Sequence, residues 1–508
     1  MKRISMQQSL RNSARRRRKV SAKHQQAGHW RARPRPMFSG GKVHYEVGGH
    51  IDAMSYGGIG AIHQLVTKLG LPKTIDASLS LLKVHLPYHE SDHVLNLAYN
   101  VMCGGTRLED IERLRHDTAY MNALGADLIP DPTTAADFCR RFSEQDVTRL
   151  MECINAVRPA LWHKRGRELF GARTYIDVDG TMASTDGARK AGMDISHDGI
   201  WGYRTQVISL ANTKEVLYLV NHPGNMPGHT DVTKWIDAAI TLVQPHAERI
   251  CLRGDTEFYL TRNLDRWAES ADFLFGVDSN PAMRSRAQAL DEADWHPLKR
   301  KPRYQTSSDQ KRARRVDEKH RIVQQRAYPN LVLNGEHVAE FAYQPTHCQR
   351  TYRVVALRKN ISKMKGEHVL FDEIRYFFYI TTRTDLSAAE VVACANERCD
   401  QENVIEQLKN GVNALRVPLY DLVSNWAYMV IAALAWNIKS WFAMMMHRHC
   451  DRQQYVRMEF RRFIHSIILI PCRVVRRSRS TTLRLIGYQP TRDRLFSTWC
   501  IIQRTGFG

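Results

Sequence analysis

Tyr175-Ile176-Asp177-Val178-Asp179-Gly180-Thr181 is a β-branched and aromatic run that sets two carboxylates where a strand would end. Side chains alternate faces along a strand, so the run predicts Ile176 and Val178 in a core and Asp177 and Asp179 together on the opposite face. Like charges that close raise each other's pKa unless a cation or water compensates. The stretch reads either as a solvated strand edge or as part of a divalent-metal site, and carboxylates at matching strand and helix ends later in the chain decide between them.

Working outward, 205–210 and 216–220 form a hairpin about the polar turn Asn212-Thr213-Lys214. A helix carrying Val232, Trp235, Ile236, Ala239 and Ile240 follows, then the short strand Ile250-Cys251-Leu252 with Arg253-Gly254-Asp255 at its carboxyl end, then the strand 273–277. That order predicts an α/β fold with a mixed sheet, and ligands of such sheets gather at strand ends. Residues 281–370 change to a basic segment at 299–321 and then alternating strands, a β-rich insertion between two parts of the sheet. Trp295, Tyr304, Tyr343 and Tyr352 there either pack a core or stack on an unpaired base. Residues 373–380 return to a buried strand, and Ser387-Ala388-Ala389-Glu390 is a capping box opening a helix that runs past residue 400. On that helix Arg398, Glu402 and Lys409 share one face, which by itself would be a surface ion-pair ladder.

The chain of 508 residues is long enough for about three domains. Lys and Arg number 74 against 52 Asp and Glu, a net charge of +22, and an extended polyanion is the partner that satisfies such an excess. Residues 1–40 carry twelve Lys or Arg and no acid, including Arg15-Arg16-Arg17-Arg18-Lys19, so they predict a disordered arm for phosphate contact. From 41 to 165 the periodicity is helical, with Ile62, Leu65, Val66 and Leu69 closed by Gly70. The last of its short helices, opened by Pro132 and carrying Arg140 and Arg141, suits either a helix-turn-helix module that meets DNA or a plain helical support. The sheet is expected over 166–280 and 371–445, with a basic tail at 446–508. Ten cysteines without C-x-x-C signal neither a disulfide framework nor zinc and fit a reducing cytoplasm. The apolar segment from Trp426 to Trp436 is too short to span a bilayer and reads as a buried helix.

Three acids thus fall at distinct structural places: Asp179, Asp255 and Glu402. Phosphodiester cleavage needs such a set, because two Mg²⁺ ions about 3.5–4 Å apart hold the attacking and leaving oxygens together, and Mg²⁺ prefers carboxylate oxygen. With Asp179 before Gly180-Thr181, Asp255 in Arg253-Gly254-Asp255, and R-x3-E-x6-K met by Arg398, Glu402 and Lys409, residues from about 100 to 445 resemble the DDE transposases of bacterial insertion sequences, in the cut-and-paste subgroup with a β-strand insertion before the glutamate. The tyrosine that this subgroup carries three residues before the arginine is Ala395 here.

The resemblance implies an RNase H-like sheet flanked by helices. It also implies catalysis by Asp179, Asp255 and Glu402 on two Mg²⁺ ions, with Mn²⁺ able to substitute. Asp177 is the alternative first acid and Glu406 a rival to Glu402. Arg398 and Lys409, with Arg253, Arg140 and Arg141, are the expected DNA contacts. The implied partners are double-stranded DNA, as terminal inverted repeats and target, and a second copy in a homodimer. No membrane is implied, and the expected place is the cytoplasm at the nucleoid. A nuclease of the same fold without strand transfer would share the acids, whereas a DNA-binding regulator derived from a transposase would not need them.

Overall fold

The decisive stretch lies inside a longer strand, β1 (Thr174–Ser184). The computed structural model describes residues 44–45, 52–85, 87–300, 318–477, 480–486 and 491–507. The basic arm at 1–40, most of the basic segment at 299–321, and Tyr304 lie outside them. The chain divides into two compact units: Arg167–Ala183 with Met193–Glu406, which holds the large sheet, and Met1–Gly166 with Ser184–Gly192 and Gln407–Gly508.

In the sheet unit β1 is followed by β2 (Asp194–Ile195), β3 (Trp201–Leu210), β4 (Glu215–Pro223), β5 (Ile250–Gly254), β6 (Asp272–Val277), β7 (His296–Pro297), β8 (Pro329–Tyr343), β9 (Tyr352–Lys365) and β10 (His368–Thr381). Their order in the sheet is β2-β3-β1-β5-β6-β10-β9-β8-β7, with β4 paired to β3. β3 and β4 are an antiparallel hairpin whose turn is closed by Lys214 at φ 60°. β5 runs parallel to β1, with Ile176 opposite Leu252, and β6 runs parallel to β5. A parallel step needs a crossover. Here α1 (Val232–Val243) precedes β5 and α2 (Thr261–Ser270) joins β5 to β6, the two helices tied by a 2.9 Å hydrogen bond from the Trp267 indole to Asp237.

The capping box holds: Ser387 and Glu390 satisfy each other's backbone amides and open α3 (Ala388–Glu397). Its Val391, Val392 and Cys394 pack on Cys251, Leu274, Val355 and Leu357 of the sheet. The helix does not run unbroken past residue 400. It ends at Glu397, resumes after Arg398 as α4 (Cys399–Glu406), and widens to a π-helical turn at Gln407–Gly411. A π turn shifts helical phase, so the spacing of Arg398, Glu402 and Lys409 is not one continuous stripe.

The insertion is continuous with the sheet. β8, β9 and β10 form one long antiparallel meander, and β10 crosses the expected boundary at 370 as one strand with a bulge at Leu370. Only its last four residues, 378–381, pair with β6 and are largely buried. Most of 368–377 is exposed, so the expected buried strand at 373–380 is buried only at its end.

The other unit is organised on α5 (Leu422–Met444), whose residues from Ser424 onward are all buried. Helices Glu90–Met102, Glu144–Ala156 and His449–Val456 pack around it. No helix among the described residues is long and apolar enough to cross a membrane. Helix Ile59–Lys68 buries Ile62, Leu65 and Val66, and Gly70 supplies a φ of 76° after it, a conformation that favours glycine. The basic segment 446–508 is folded over its described residues. Ile467, Ile468 and Ile470 are core residues, the hairpin Cys472–Arg477 with Ser480–Leu485 takes Ala53–Met54 as a third strand, and Lys68 donates to the Gln503 carbonyl of the last helix at 2.7 Å.

Candidate active site

β1 and β5 point the same way in adjacent positions, with Asp177 opposite Arg253. Two residues further along each strand stand Asp179 and Asp255, so parallel register brings these acids out side by side. The Asp255 carboxylate accepts the Glu257 amide at 3.0 Å and caps the turn Thr256–Phe258. The Asp179 carboxylate accepts the Gly180 amide at 2.8 Å through one oxygen and the Arg398 guanidinium at 3.0 Å through the other. Arg398 reaches it from the break between α3 and α4.

Glu402 is exposed on α4, and the residue before it fixes that helix. Gln401 is buried, donates to the Val207 carbonyl at 3.0 Å and meets the Ser209 hydroxyl, so α4 is pinned to β3. Gln401→Ala would leave those buried groups unpaired, at about 1–3 kcal/mol. Urea unfolding is expected to show that loss, together with weaker DNA cleavage.

Asp179 feels the charges of the other two acids. Burial pushes the Asp179 carboxyl up to about 6; Arg398 opposes the rise, and the Asp255 and Glu402 charges add to it. Asp255 is also raised, by burial first, with Arg398 and the Glu257 amide working against it and the Glu257 charge adding to the rise. Carboxylates so placed favour a nearby cation.

Two residues at this site carry no sequence motif. Arg204 of β3 forms an ion pair with Glu257, which also accepts the Gly228 amide at 2.6 Å. Arg204 lowers the Asp255 pKa, and its guanidinium lies 3.0 Å from where a Cβ on Gly180 would stand. The glycine after Asp179 is thus explained by space for Arg204. The only linear signal was Glu257, two residues beyond Asp255 in the run Arg253-Gly254-Asp255-Thr256-Glu257.

Other expected site residues lie elsewhere. Asp177 is 1% exposed and both its oxygens accept from Arg253, at 2.7 and 2.9 Å. Arg253 is 3% exposed, donates to the Cys394 carbonyl at 3.2 Å and stacks on the Tyr175 ring. It is therefore not placed to touch DNA, nor Asp177 to hold an ion, because α3 covers the face that alternation left open. Lys409 belongs to the other unit, half-buried in the π-helical turn. Arg140 and Arg141 are exposed at the end of helix Pro132–Arg140, Arg140 paired with Asp137 and Arg141 donating to the Leu81 carbonyl at 3.4 Å. Glu406 is exposed at the end of α4, and Ala395 packs against the sheet core. Of the aromatic candidates, Trp295 is buried against Arg358 and Tyr376, Tyr352 is buried with its hydroxyl on Asp265 at 2.5 Å, and Tyr343 lies under Arg286.

The sequence profile described as Transposase DDE domain group 1 matches residues 36–507. The chain belongs to the DDE transposase family. No curated protein matches it. Among solved structures it is similar to a piggyBac transposase synaptic complex with hairpin DNA, seen by cryo-electron microscopy, at 10% identity over 82% of this chain and 83% of that one with a TM-score of 0.36. DDE transposases carry out metal-dependent DNA cleavage and transposition, so the donor set bears on an ion. Asp179, its pKa raised by burial and by the Asp255 and Glu402 charges, stands among hard carboxylate oxygen donors of the kind a divalent ion takes. Among the described residues no three His, Cys, Asp or Glu side chains close around a single point. Asp179 and Asp255, with Glu402, are the residues that would hold such an ion, and water and substrate phosphate would supply its remaining oxygens.

Proposed function

We propose that this DDE transposase serves a bacterial insertion sequence: it binds the element's terminal inverted repeats, nicks the DNA at their ends, and joins the freed 3′-hydroxyl to target DNA by a cut-and-paste route. The observation that carries the proposal is that Asp179 and Asp255 leave adjacent parallel strand ends, with Asp179 pushed up to about 6 by burial first and then by the Asp255 and Glu402 charges. The arrangement of β4-β3-β1-β5-β6, a hairpin antiparallel to β1 and two strands parallel to it, supports reading the sheet as RNase H-like.

In this reading the three acids hold two divalent ions, Mg²⁺ in the cell and Mn²⁺ as a substitute, which would activate the attacking oxygen and stabilise the leaving one. The chain's own residues do the rest. Gln401 keeps Glu402 at the sheet, the Gly180 amide and Arg398 orient the Asp179 carboxylate, and Glu257 holds Arg204 beside Asp255. A guanidinium carries five donors, so Arg398 can hold Asp179 and still bind a backbone phosphate. Lys409, Arg140 and Arg141 are further phosphate contacts, and two copies hold the two ends. The place of action is the cytoplasm, on nucleoid DNA.

A strand-transfer assay tests the reading. Terminal-repeat DNA labelled within the element strand, on the 5′ side of the nick, is incubated with target plasmid and Mg²⁺ and is expected to give the label joined to plasmid. Cleaved but unjoined label would make the chain a nuclease of the same fold, and bound DNA that is never cut would make it a regulator.

A further inference from the structure

β10 is paired along one side with β9, apart from the bulge at Leu370, and along the other with β6 only at 378–381. Among the described residues no strand pairs with the second edge of 368–377. An unpaired edge presents backbone N–H and C=O groups ready for another strand. This one is apolar as well: Phe371 is 51% exposed, Ile374 53% and Phe377 41%.

Its sequence is symmetric about Ile374 in a way that suits one occupant. Residues at equal distance on either side are Glu373 and Arg375, of opposite charge, then Asp372 and Tyr376, then Phe371 and Phe377, both aromatic. Two identical strands paired antiparallel about a twofold axis place residue i opposite its mirror position, with the faces preserved. About Ile374 such pairing sets Glu373 against Arg375 twice and Phe371 against Phe377 twice, all on one face. Within the single chain Glu373 and Arg375 already hold each other at 2.8 Å, so both side chains are extended along the same strip. DNA is the poorer occupant. The strand itself carries Asp372, Glu373 and Arg375, and the Lys359 and Lys363 ammonium groups of β9 lie over Phe377 and Phe371, so the strip alternates in sign, whereas a polyanion selects uniformly basic surface.

We propose that the β10 edge at 371–377 pairs with the same edge of a second copy, Ile374 opposite Ile374. This names the contact for the two-copy arrangement proposed above, but the strand carries it without reference to the acids.

The test reads oligomeric state by sedimentation on the full chain, without DNA and at high salt. Wild type is expected to dimerise. E373R and R375E each place like charges opposite each other twice and are expected to weaken the dimer about tenfold or more. An equimolar mixture of the two restores both opposite-charge pairs between chains while the pair within each chain stays repulsive, and is expected to dimerise again. Monomeric wild type, single variants as dimeric as wild type, or a mixture that stays monomeric would each overturn the interface. A chain that cleaves DNA yet never self-associates would remove this inference and leave the proposed chemistry standing.

Discussion

Glu402→Gln is expected to lose DNA cleavage on the order of 10³-fold or more, because several kcal/mol of transition-state charge stabilisation go with the carboxylate, while gel-shift binding to the same DNA is unchanged. The substitution keeps shape and removes charge. Glu402 is exposed on α4, whose attachment to the sheet runs through Gln401, so unfolding should move by no more than about 0.5 kcal/mol. Glu402 also helps to raise Asp179, so its loss relaxes the repulsion among the acids without supplying an anionic oxygen. Glu406→Gln, one turn further along the same helix, is the matched control and is expected to cut normally. Equal loss of cleavage and binding in Glu402→Gln would remove it from the acid set, and a dead Glu406→Gln beside an active Glu402→Gln would transfer the role.

What could be read from the linear chain was what local patterning encodes. β1, the hairpin around Asn212 and the strand before Asp255 are short runs bounded by turn residues, and parallel register then does the rest for Asp179 and Asp255. The Ser387 capping box is equally local. The interruption at Arg398 is not, since neither proline nor glycine marks it. Nor could the run through Tyr376, Phe377 and Phe378 say where burial begins: the same apolar letters describe the exposed part of β10 and the part against β6. Arg204 and Glu257 are 53 residues apart, and no periodicity announces a pair that forms only when β3 and the end of β5 meet. The C-terminal segment is basic in composition, and its fold is decided by Ile467, Ile468 and Ile470. Asp177 shows the converse: both its oxygens are taken by Arg253. Period two put it correctly on the face of Asp179, and the identity of the cover over that face, α3, is tertiary information.

That cover makes Asp177→Ala the most destabilising change expected in the sheet unit. Burial works against the Arg253 charge, and the Asp177 carboxylate outweighs it, leaving the guanidinium pKa raised. Removing the carboxylate leaves a cation that is 3% exposed with only the Cys394 carbonyl, the Tyr175 ring and a distant Glu397 at 3.6 Å to answer it. Breaking a buried pair from one side costs about 3–5 kcal/mol, so urea unfolding followed by circular dichroism should show a lower midpoint for this unit. Asp177→Ala combined with Arg253→Leu removes both charges and is expected to regain much of the loss, because apolar replacement of a buried pair is often near neutral. Asp179→Asn should behave in the opposite way, with its partner Arg398 partly exposed and still hydrated: unfolding within about 1 kcal/mol of wild type and cleavage lost. The adjacent acids of β1 are therefore separable by experiment, one through stability and the other through chemistry. An Asp177→Asn chain as stable as wild type but unable to cut DNA would reverse that assignment.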